Sequence, residues 1–147
     1  MAQFCDEFEG RWKEYNDLLS ENLIFVGRTA NIGVITKEEA LSYGLTGPCL
    51  RGSGVKYDLR KDQPYELYDR FEFEVPIGEG KKGTVGDCWD RYDVRMQEMR
   101  ESVKIIRQCL DGIQPGPTLA KLSSALRVPR GTLMWESRIR AASSATS

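Results

Sequence analysis

Hydrophobic side chains recur every three or four residues from Trp89 to Leu110, which is the spacing of one face of an α-helix. Asp87 is suited to cap the first turn of this helix, and Gly112 followed by Pro115 supplies a stop. The pattern predicts a helix of about seven turns whose apolar face belongs to a helix bundle and needs partner helices. We call this face the stripe; its residues are Trp89, Tyr92, Met96, Met99, Val103, Ile106 and Leu110.

A second helical pattern opens the chain. Apolar residues at spacings of four and three predict an amphipathic helix over residues 3–20, with Asn22 marking its end. Gly10 lies inside this helix and weakens it by about 1 kcal/mol relative to alanine, so the helix depends on packing against other elements. The residues that define its apolar face are Phe4, Phe8, Trp12, Tyr15 and Leu19.

The next part of the chain is predicted to be irregular, with short buried extended pieces at residues 23–26 and 32–35. Thr36 with Glu39 three residues later is the pattern of a capping box. It predicts a short helix that Gly44 closes in a left-handed conformation.

The middle of the chain has less regular patterns. Glycines dominate residues 44–54, which indicates close backbone packing rather than regular structure. Residues 56–69 indicate an ordered loop with at most one helical turn, and residues 71–75 alternate apolar with acidic side chains, as a half-buried strand does. Residues 78–86 are predicted to form a mobile, exposed loop. After Pro117 the pattern weakens, and the predicted fold class is mainly α with small β elements.

The amino-acid composition argues against several classes of function. A chain of 147 residues is expected to form one domain or part of a larger one. Its formal charge of −1 gives no bulk attraction to nucleic acid or anionic lipid. No apolar run approaches the roughly 20 residues of a spanning helix, so we expect a soluble or peripheral protein. Cys5, Cys49, Cys88 and Cys109 show no C-x-x-C spacing, which favours reduced thiols that act as small hydrophobic side chains in a reducing compartment over a metal site. The chain has no histidine, and its first residues show neither a signal nor a transit peptide.

Three motifs favour structural over catalytic interpretations. Residues 47–53 superficially match a phosphate-binding loop but lack its lysine. A group of acidic residues alternates with basic ones, which indicates a salt-bridged loop rather than a metal or acid–base site. The group is Asp58, Asp62, Glu66 and Asp69 with Arg60, Lys61 and Arg70. A basic tail is weak evidence for nucleic-acid binding, since it lacks a folded platform; it contains Arg127, Arg130, Trp135, Arg138 and Arg140.

Two long segments carry a family resemblance: LTGPCLRGSGVKYDLRKDQPYELYDRFEFEVPIG and GDCWDRYDVRMQEMRESVKIIRQCLDGIQPGP. They resemble the hydrogenase-derived large subunit in the quinone module of respiratory complex I. Residues 21–29, 32–34 and 38–44 follow in the family's order. The resemblance covers residues 3–117, so we interpret residues 1–117 as a fragment of that subunit and 118–147 as a divergent tail.

The resemblance implies a subunit of NADH:ubiquinone reductase (H⁺-translocating) in its peripheral arm, where electrons reach a quinone bound beside the small iron–sulfur subunit. It implies the helical fold of the nickel–iron hydrogenase large subunit. The chain would bind no cofactor directly, with quinone, FMN and iron–sulfur clusters in neighbouring subunits. Implied partners are the piece carrying the missing amino-terminal part, the small iron–sulfur subunit and adjacent peripheral-arm subunits. The location would be the matrix side of the mitochondrial inner membrane or the cytoplasmic side of a bacterial plasma membrane.

This sequence departs from the family in two ways. The family's quinone-binding histidine and tyrosine lie upstream of the matched part, so their role carries over to no residue here. Residues 128–131 are a trace of a V-P-x-G turn, beyond which the family pattern is lost. We therefore expect a subunit encoded in separate pieces, the alternative being a truncated product.

The expected role is that of a scaffold with no catalytic residue and no metal site. We predict loops that face the quinone cavity or neighbouring subunits at Arg51, Gly52, Ser53, Gly54, Asp58, Arg60 and Lys61. The stripe is predicted to contact partner helices. The alternative function is an independent helical adaptor or complex I assembly protein derived from the large subunit.

Overall fold

The computed structural model describes residues 1–118, and this part of the chain is helical. Its helices are α1 (Ala2–Tyr15), α2 (Leu23–Thr29), α3 (Lys37–Ser42), α4 (Gly47–Gly52), α5 (Leu59–Asp62) and α6 (Cys88–Gly112), with a π-helical turn at Asn16–Ser20 and a 3₁₀ turn at Tyr68–Arg70. Within residues 1–118 no helix is both long and apolar enough to cross a membrane. The features predicted after Pro117, including the basic tail, lie almost wholly outside the described residues.

Helix α6 is the central element of the fold. The predicted cap is confirmed, because the Asp87 carboxylate accepts a hydrogen bond of 2.8 Å from the Asp90 amide. The predicted length is also confirmed, since the helix runs for 25 residues. Helices α1, α2 and α4 contact α6, and so does the extended segment 71–80.

Helix α1 packs antiparallel to α6, as the predicted dependence of α1 on packing requires. The Trp12 indole donates to the Met96 carbonyl at 2.8 Å, in the first half of α6. Asp6, about two turns earlier on α1, accepts from Arg107 near the end of α6 at 2.8 Å. Cys5 is fully buried, and the cysteines of the described part are free thiols.

The prediction of irregular structure after Asn22 is wrong for residues 23–29, which form α2, and confirmed for residues 30–35. The burial predicted for residues 32–35 is wrong at Ile32 and Val34, which are exposed. The Asn22 side chain caps α2 by accepting from the amides of Ile24 and Phe25 at 2.9 and 3.2 Å. Leu23 is 86 % exposed, so this apolar run is not buried as expected, although Phe25 packs edge-on against Tyr92 at 4.8 Å between ring centroids. The local cap outweighs the β-propensity of the run.

The capping box before α3 is confirmed. Thr36 Oγ1 accepts from the Glu39 amide at 3.2 Å, and the Glu39 carboxylate accepts from the Thr36 amide at 2.9 Å. Gly44 closes this segment at φ +64°, in the left-handed region, as predicted.

The strand predicted at residues 71–75 is not formed, and the described residues contain no β-strand at all. The backbone is extended there and Phe73 is buried, but side chains of α6 take the place of a partner strand. Gln108 accepts from the Glu72 amide at 2.8 Å and donates to the Glu72 carbonyl at 2.7 Å, while Glu101 accepts from the Glu74 amide at 2.9 Å. The alternation at residues 71–75 therefore indicates a segment with one buried face, although this segment does not pair with another strand.

Glycines allow the loops to pack closely onto one another. A Cβ added to Gly78 would lie 2.0 Å from the Gly52 carbonyl oxygen, and one added to Gly52 would lie 2.6 Å from Cγ of Arg91. The close packing predicted for residues 44–54 is confirmed, although part of that segment forms α4. The prediction of an exposed loop at 78–86 is wrong at Gly78 and Gly86, which are buried.

Candidate functional site

A buried arginine on α4 anchors the best-defined polar site of the described chain. Arg51 is only 2 % exposed. Its Nε donates to Glu98 Oε1 of α6 at 2.6 Å, and its Nη2 also contacts that carboxylate oxygen. Its Nη1 donates to the Tyr57 carbonyl at 2.9 Å. One side chain thus ties α6 to α4 and to the loop that follows α4.

Asp58 extends this site into a network. It caps α5 by accepting from the Arg60 amide at 3.0 Å. Both of its oxygens accept from the Arg60 guanidinium, at 3.0 and 2.7 Å, in the planar two-bond geometry that arginine forms with carboxylates. Asp58 Oδ2 lies 3.7 Å from Arg51 Nη1. The salt-bridged loop predicted around Asp58 is therefore confirmed at this pair, and we call Arg51, Asp58, Arg60 and Glu98 the buried network.

The buried network is balanced in charge, with two arginines and two carboxylates that are all buried. Burial acting alone would lower the pKa of Arg60, but the hydrogen bonds and negative charge of Asp58 raise it above its usual value. The Phe73 ring also contacts two cations: the Arg60 guanidinium lies 4.5 Å from the ring centroid, and Lys61 Nζ lies 4.3 Å from it. Removing one partner would leave a buried charge uncompensated.

An open cleft of about 570 Å³ lies directly beside the buried network. Asp58 and Phe73 form part of its wall, and Lys56 and Lys61 are its exposed cations. The cleft presents ammonium donors, carboxylate acceptors and one aromatic ring, and its lining is Lys56, Asp58, Lys61, Asp62, Phe73, Glu74 and Val75. Within residues 1–118 no three histidine, cysteine or acidic side chains are grouped as a metal site would need.

The structure brings the predicted loop residues together but turns most of them inward. Arg51, Ser53 and Arg60 are buried, and Ser53 donates to the Ile35 carbonyl at 2.8 Å. Gly52 and Asp58 are buried as well, Gly54 is half-buried, and Lys61 is exposed. Their assignment to loops that face a quinone cavity or another subunit stays a prediction, and Lys61 and Asp58 on the cleft are its best-placed members.

The stripe is largely covered by this chain itself. Trp89, Met96 and Val103 are at most 5 % exposed. Tyr92, Met99 and Ile106 are half-buried, and the Tyr92 hydroxyl lies 3.1 Å from Ser20 Oγ. Leu110 is 37 % exposed, so contact with a partner helix stays a prediction chiefly for this end of the stripe.

A second buried face of α6, on which four of six side chains are acidic, was not predicted from the sequence. Its residues also recur at spacings of three and four, but acidic side chains within an apolar pattern are easily interpreted as solvent-facing. Acidic residues that fall on one helical row are the signal that would have found them. The face consists of Asp87, Asp90, Val94, Glu98, Glu101 and Ile105, each at most 9 % exposed.

Asp90 on this face holds the loop 78–86 against α6. Its carboxylate accepts from the Gly80 amide at 2.9 Å and from the Gly86 amide at 3.4 Å. Burial raises the pKa of Asp90; the Gly80 and Gly86 hydrogen bonds oppose this shift, and the nearby Asp87 carboxylate adds to it.

The chain is similar over most of its length to proteins from bacteria. The family described as respiratory-chain NADH dehydrogenase, 49 kDa subunit, matches residues 1–142. The second D-type subunit of NADH-quinone oxidoreductase from Sorangium cellulosum is 54 % identical over 130 residues, which cover 86 % of this chain and 34 % of that protein. The D-type subunit of the same enzyme from Methylacidiphilum infernorum is 48 % identical over 139 residues, covering 95 % and 31 %.

A third relative, the D-type subunit of NADH-quinone oxidoreductase from Geotalea uraniireducens, is 54 % identical over 120 residues, covering 82 % of this chain and 30 % of that protein. The chain thus spans about a third of the length of the curated relatives it matches. The family match continues past residue 117. The division into a fragment at 1–117 and a divergent tail at 118–147 stays a prediction.

Proposed function

Because this chain belongs to the family of the 49 kDa subunit of respiratory-chain NADH dehydrogenase, we propose that it forms part of the large subunit of complex I. Its place is the quinone-reduction module of the peripheral arm, in a proton-pumping NADH:quinone oxidoreductase. The observation that carries this proposal is sequence similarity: over more than four fifths of the chain, about half of the residues are identical to those of D-type subunits.

The role we propose is that of a scaffold. The buried network fastens α4 and the α5 loop to α6 through Arg51, and the side chains of Glu101 and Gln108 fasten the extended segment 71–75 to the same helix. These contacts fix the walls of the cleft. A wall held by buried, directional bonds can position a neighbouring subunit or a cavity without taking part in electron transfer.

The family also suggests the fold, the cofactors of the complex, the partner subunits and the location. We propose that α1 and α6 belong to a helical core like that of the nickel–iron hydrogenase large subunit; the helical architecture of residues 1–118 supports this. Quinone, FMN and iron–sulfur clusters would be carried elsewhere in the complex, and the partners would be other complex I subunits, the small iron–sulfur subunit among them. The three relatives are bacterial, which supports the cytoplasmic side of a plasma membrane over the mitochondrial inner membrane.

A second candidate is an independent helical adaptor or assembly protein derived from the large subunit. One observation favours it: the described part of the chain covers most of its own longest helix, with Trp89, Met96 and Val103 buried. This candidate predicts a folded, monodisperse protein that acts without being retained in the mature complex.

Affinity purification in mild detergent separates the two candidates. The tagged wild-type chain should be recovered with the small iron–sulfur subunit and with NADH-driven quinone reductase activity. Arg51→Ala should reduce that recovery, whereas Arg11→Ala, which removes an exposed ion pair with Glu14, should leave it close to wild type. Recovery of the wild-type chain alone would contradict a role in complex I.

A further inference from the structure

A groove runs between α1 and α6 on the side away from the buried network. It has a volume of about 290 Å³ and an apolar floor of Phe8, Trp12 and Val103. The floor is fixed in place, because the Trp12 indole is hydrogen-bonded to the Met96 carbonyl and the Arg100 guanidinium stacks on its ring at 4.7 Å. The groove is therefore a built feature of the helix pair rather than a gap between mobile side chains.

Exposed apolar side chains continue the groove toward one end of the helix pair. Phe4 lies one turn before Phe8 on α1, contacts it at 5.8 Å between ring centroids, and is 53 % exposed. Leu110, near the end of α6, is 37 % exposed. Since the two helices are antiparallel, Phe4 and Leu110 lie at the same end. An apolar strip of this kind marks a contact surface.

The rim of the groove is mainly basic. Lys13, Arg100 and Lys104 line it, and its acidic lining residue, Glu9, already forms an ion pair with Arg107 at 3.0 Å. Lys104 is paired with Glu101. Within the described chain neither Lys13 nor Arg100 forms an ion pair, so two cations on the rim are available to carboxylates of another segment.

We propose that this groove binds an amphipathic helix whose apolar face is flanked by acidic side chains, and that this helix belongs to the part of the large subunit that this chain does not contain. A groove between two antiparallel helices accepts the ridge of a third helix. The basic rim selects acidic flanks. About two thirds of each relative's length lies outside the match, and this unmatched part of the large subunit is long enough to contain such a helix. This inference rests on the proposed function.

A photo-reactive benzoylphenylalanine in place of Phe4, in the chain assembled in cells, tests the occupant. The expected cross-link joins position 4 to a helix with acidic flanks in the remainder of the large subunit, identified by mass spectrometry. The same analogue in place of Tyr43, which is 80 % exposed after α3, is the control and should not reach that helix. A cross-link from position 4 to a second copy of this chain, to lipid, or to nothing overturns the inference.

Charge reversal at the rim supplies a second measurement. Lys13→Glu should lower the yield of the position 4 cross-link about fivefold, the equivalent of about 1 kcal/mol. Lys37→Glu, an equal charge change at an exposed site on α3, should leave the yield unchanged. An equal effect of both variants would overturn the acidic-helix assignment. If the chain is recovered in complex I but position 4 cross-links to another segment, only this inference is wrong. If the chain is not recovered in complex I, the proposed function is wrong as well.

Discussion

Arg51 and Glu98 lie 47 residues apart in the chain and form a 2.6 Å hydrogen bond between buried side chains. This pair joins the short helix α4 to the middle of α6, and Asp58 with Arg60 continues it to α5. Buried ion pairs add little stability compared with apolar packing, but losing one partner costs much, because the other charge stays buried. The pair therefore fixes the arrangement of α4, α5 and α6.

Arg51→Ala should lower the free energy of unfolding by about 3–5 kcal/mol, since buried Glu98 would lose its ion pair with Arg51 and the Tyr57 carbonyl would lose the Arg51 donor. Urea titration of the purified chain measures this. Arg107→Ala removes an exposed ion pair and should cost less than about 1 kcal/mol. The double variant Arg51→Met with Glu98→Leu should be more stable than either single variant. If the stability losses of the two single variants simply add in the double variant, Arg51 and Glu98 are not coupled.

Gly78→Ala should destabilise the chain by about 3 kcal/mol or abolish folding, because the added Cβ would lie 2.0 Å from the Gly52 carbonyl oxygen. Gly10→Ala is the matched control. Nothing lies within 4 Å of a Cβ at Gly10, and the position is inside α1, so this change should raise stability by about 0.5–1 kcal/mol. Thermal unfolding compares the two. Tolerance of Gly78→Ala would mean that the loop does not pack on α4 as described.

Asp90 should make stability depend on pH in the acid range. Its pKa is raised from the ordinary value of 3.8 by burial, so the folded chain binds this proton more tightly than the unfolded chain does. Its contribution is fully present below pH 3.8 and is lost as the pH rises through the folded pKa. The slope for one proton is at most about 1.4 kcal/mol per pH unit. Asp90→Asn should remove it, and parallel curves of stability against pH for the wild type and the variant would contradict this.

Glu101→Ala should speed hydrogen exchange at the Glu74 amide about fivefold, because the amide loses its acceptor on α6 and a typical hydrogen bond contributes about 1 kcal/mol. Lys104→Ala removes the ion pair of Glu101 but leaves the acceptor in place, so it should leave this exchange rate nearly unchanged. NMR-detected exchange distinguishes the two. Unchanged protection in Glu101→Ala would show that α6 does not take the place of a partner strand.

Elements whose signals are local could be predicted from the sequence. The period of the stripe, the cap at Asp87 and the capping box of Thr36 and Glu39 each depend on residues within one or two turns of one another, and each is present in the structure. The alternation at residues 71–75 correctly placed Phe73 inward.

Long-range relationships could not be predicted in this way. Whether residues 71–75 pair with a strand or with side chains of α6 depends on Glu101 and Gln108, which lie 27 and 36 residues from their bonding partners Glu74 and Glu72. The buried network has the same character, because nothing local to Glu98 shows that Arg51 lies beside it. The resemblance in sequence was enough to predict membership of the complex I large-subunit family. It was not enough to predict which loop residues have buried side chains.

Removal of this chain from its host tests the proposed membership most directly. NADH-driven quinone reduction is measured in membranes from cells that lack the chain, from cells complemented with the wild type, and from cells complemented with Arg51→Ala. We predict that activity is lost on removal, restored by the wild type, and restored only partly by Arg51→Ala. Full quinone reductase activity in membranes without the chain would contradict the proposed membership.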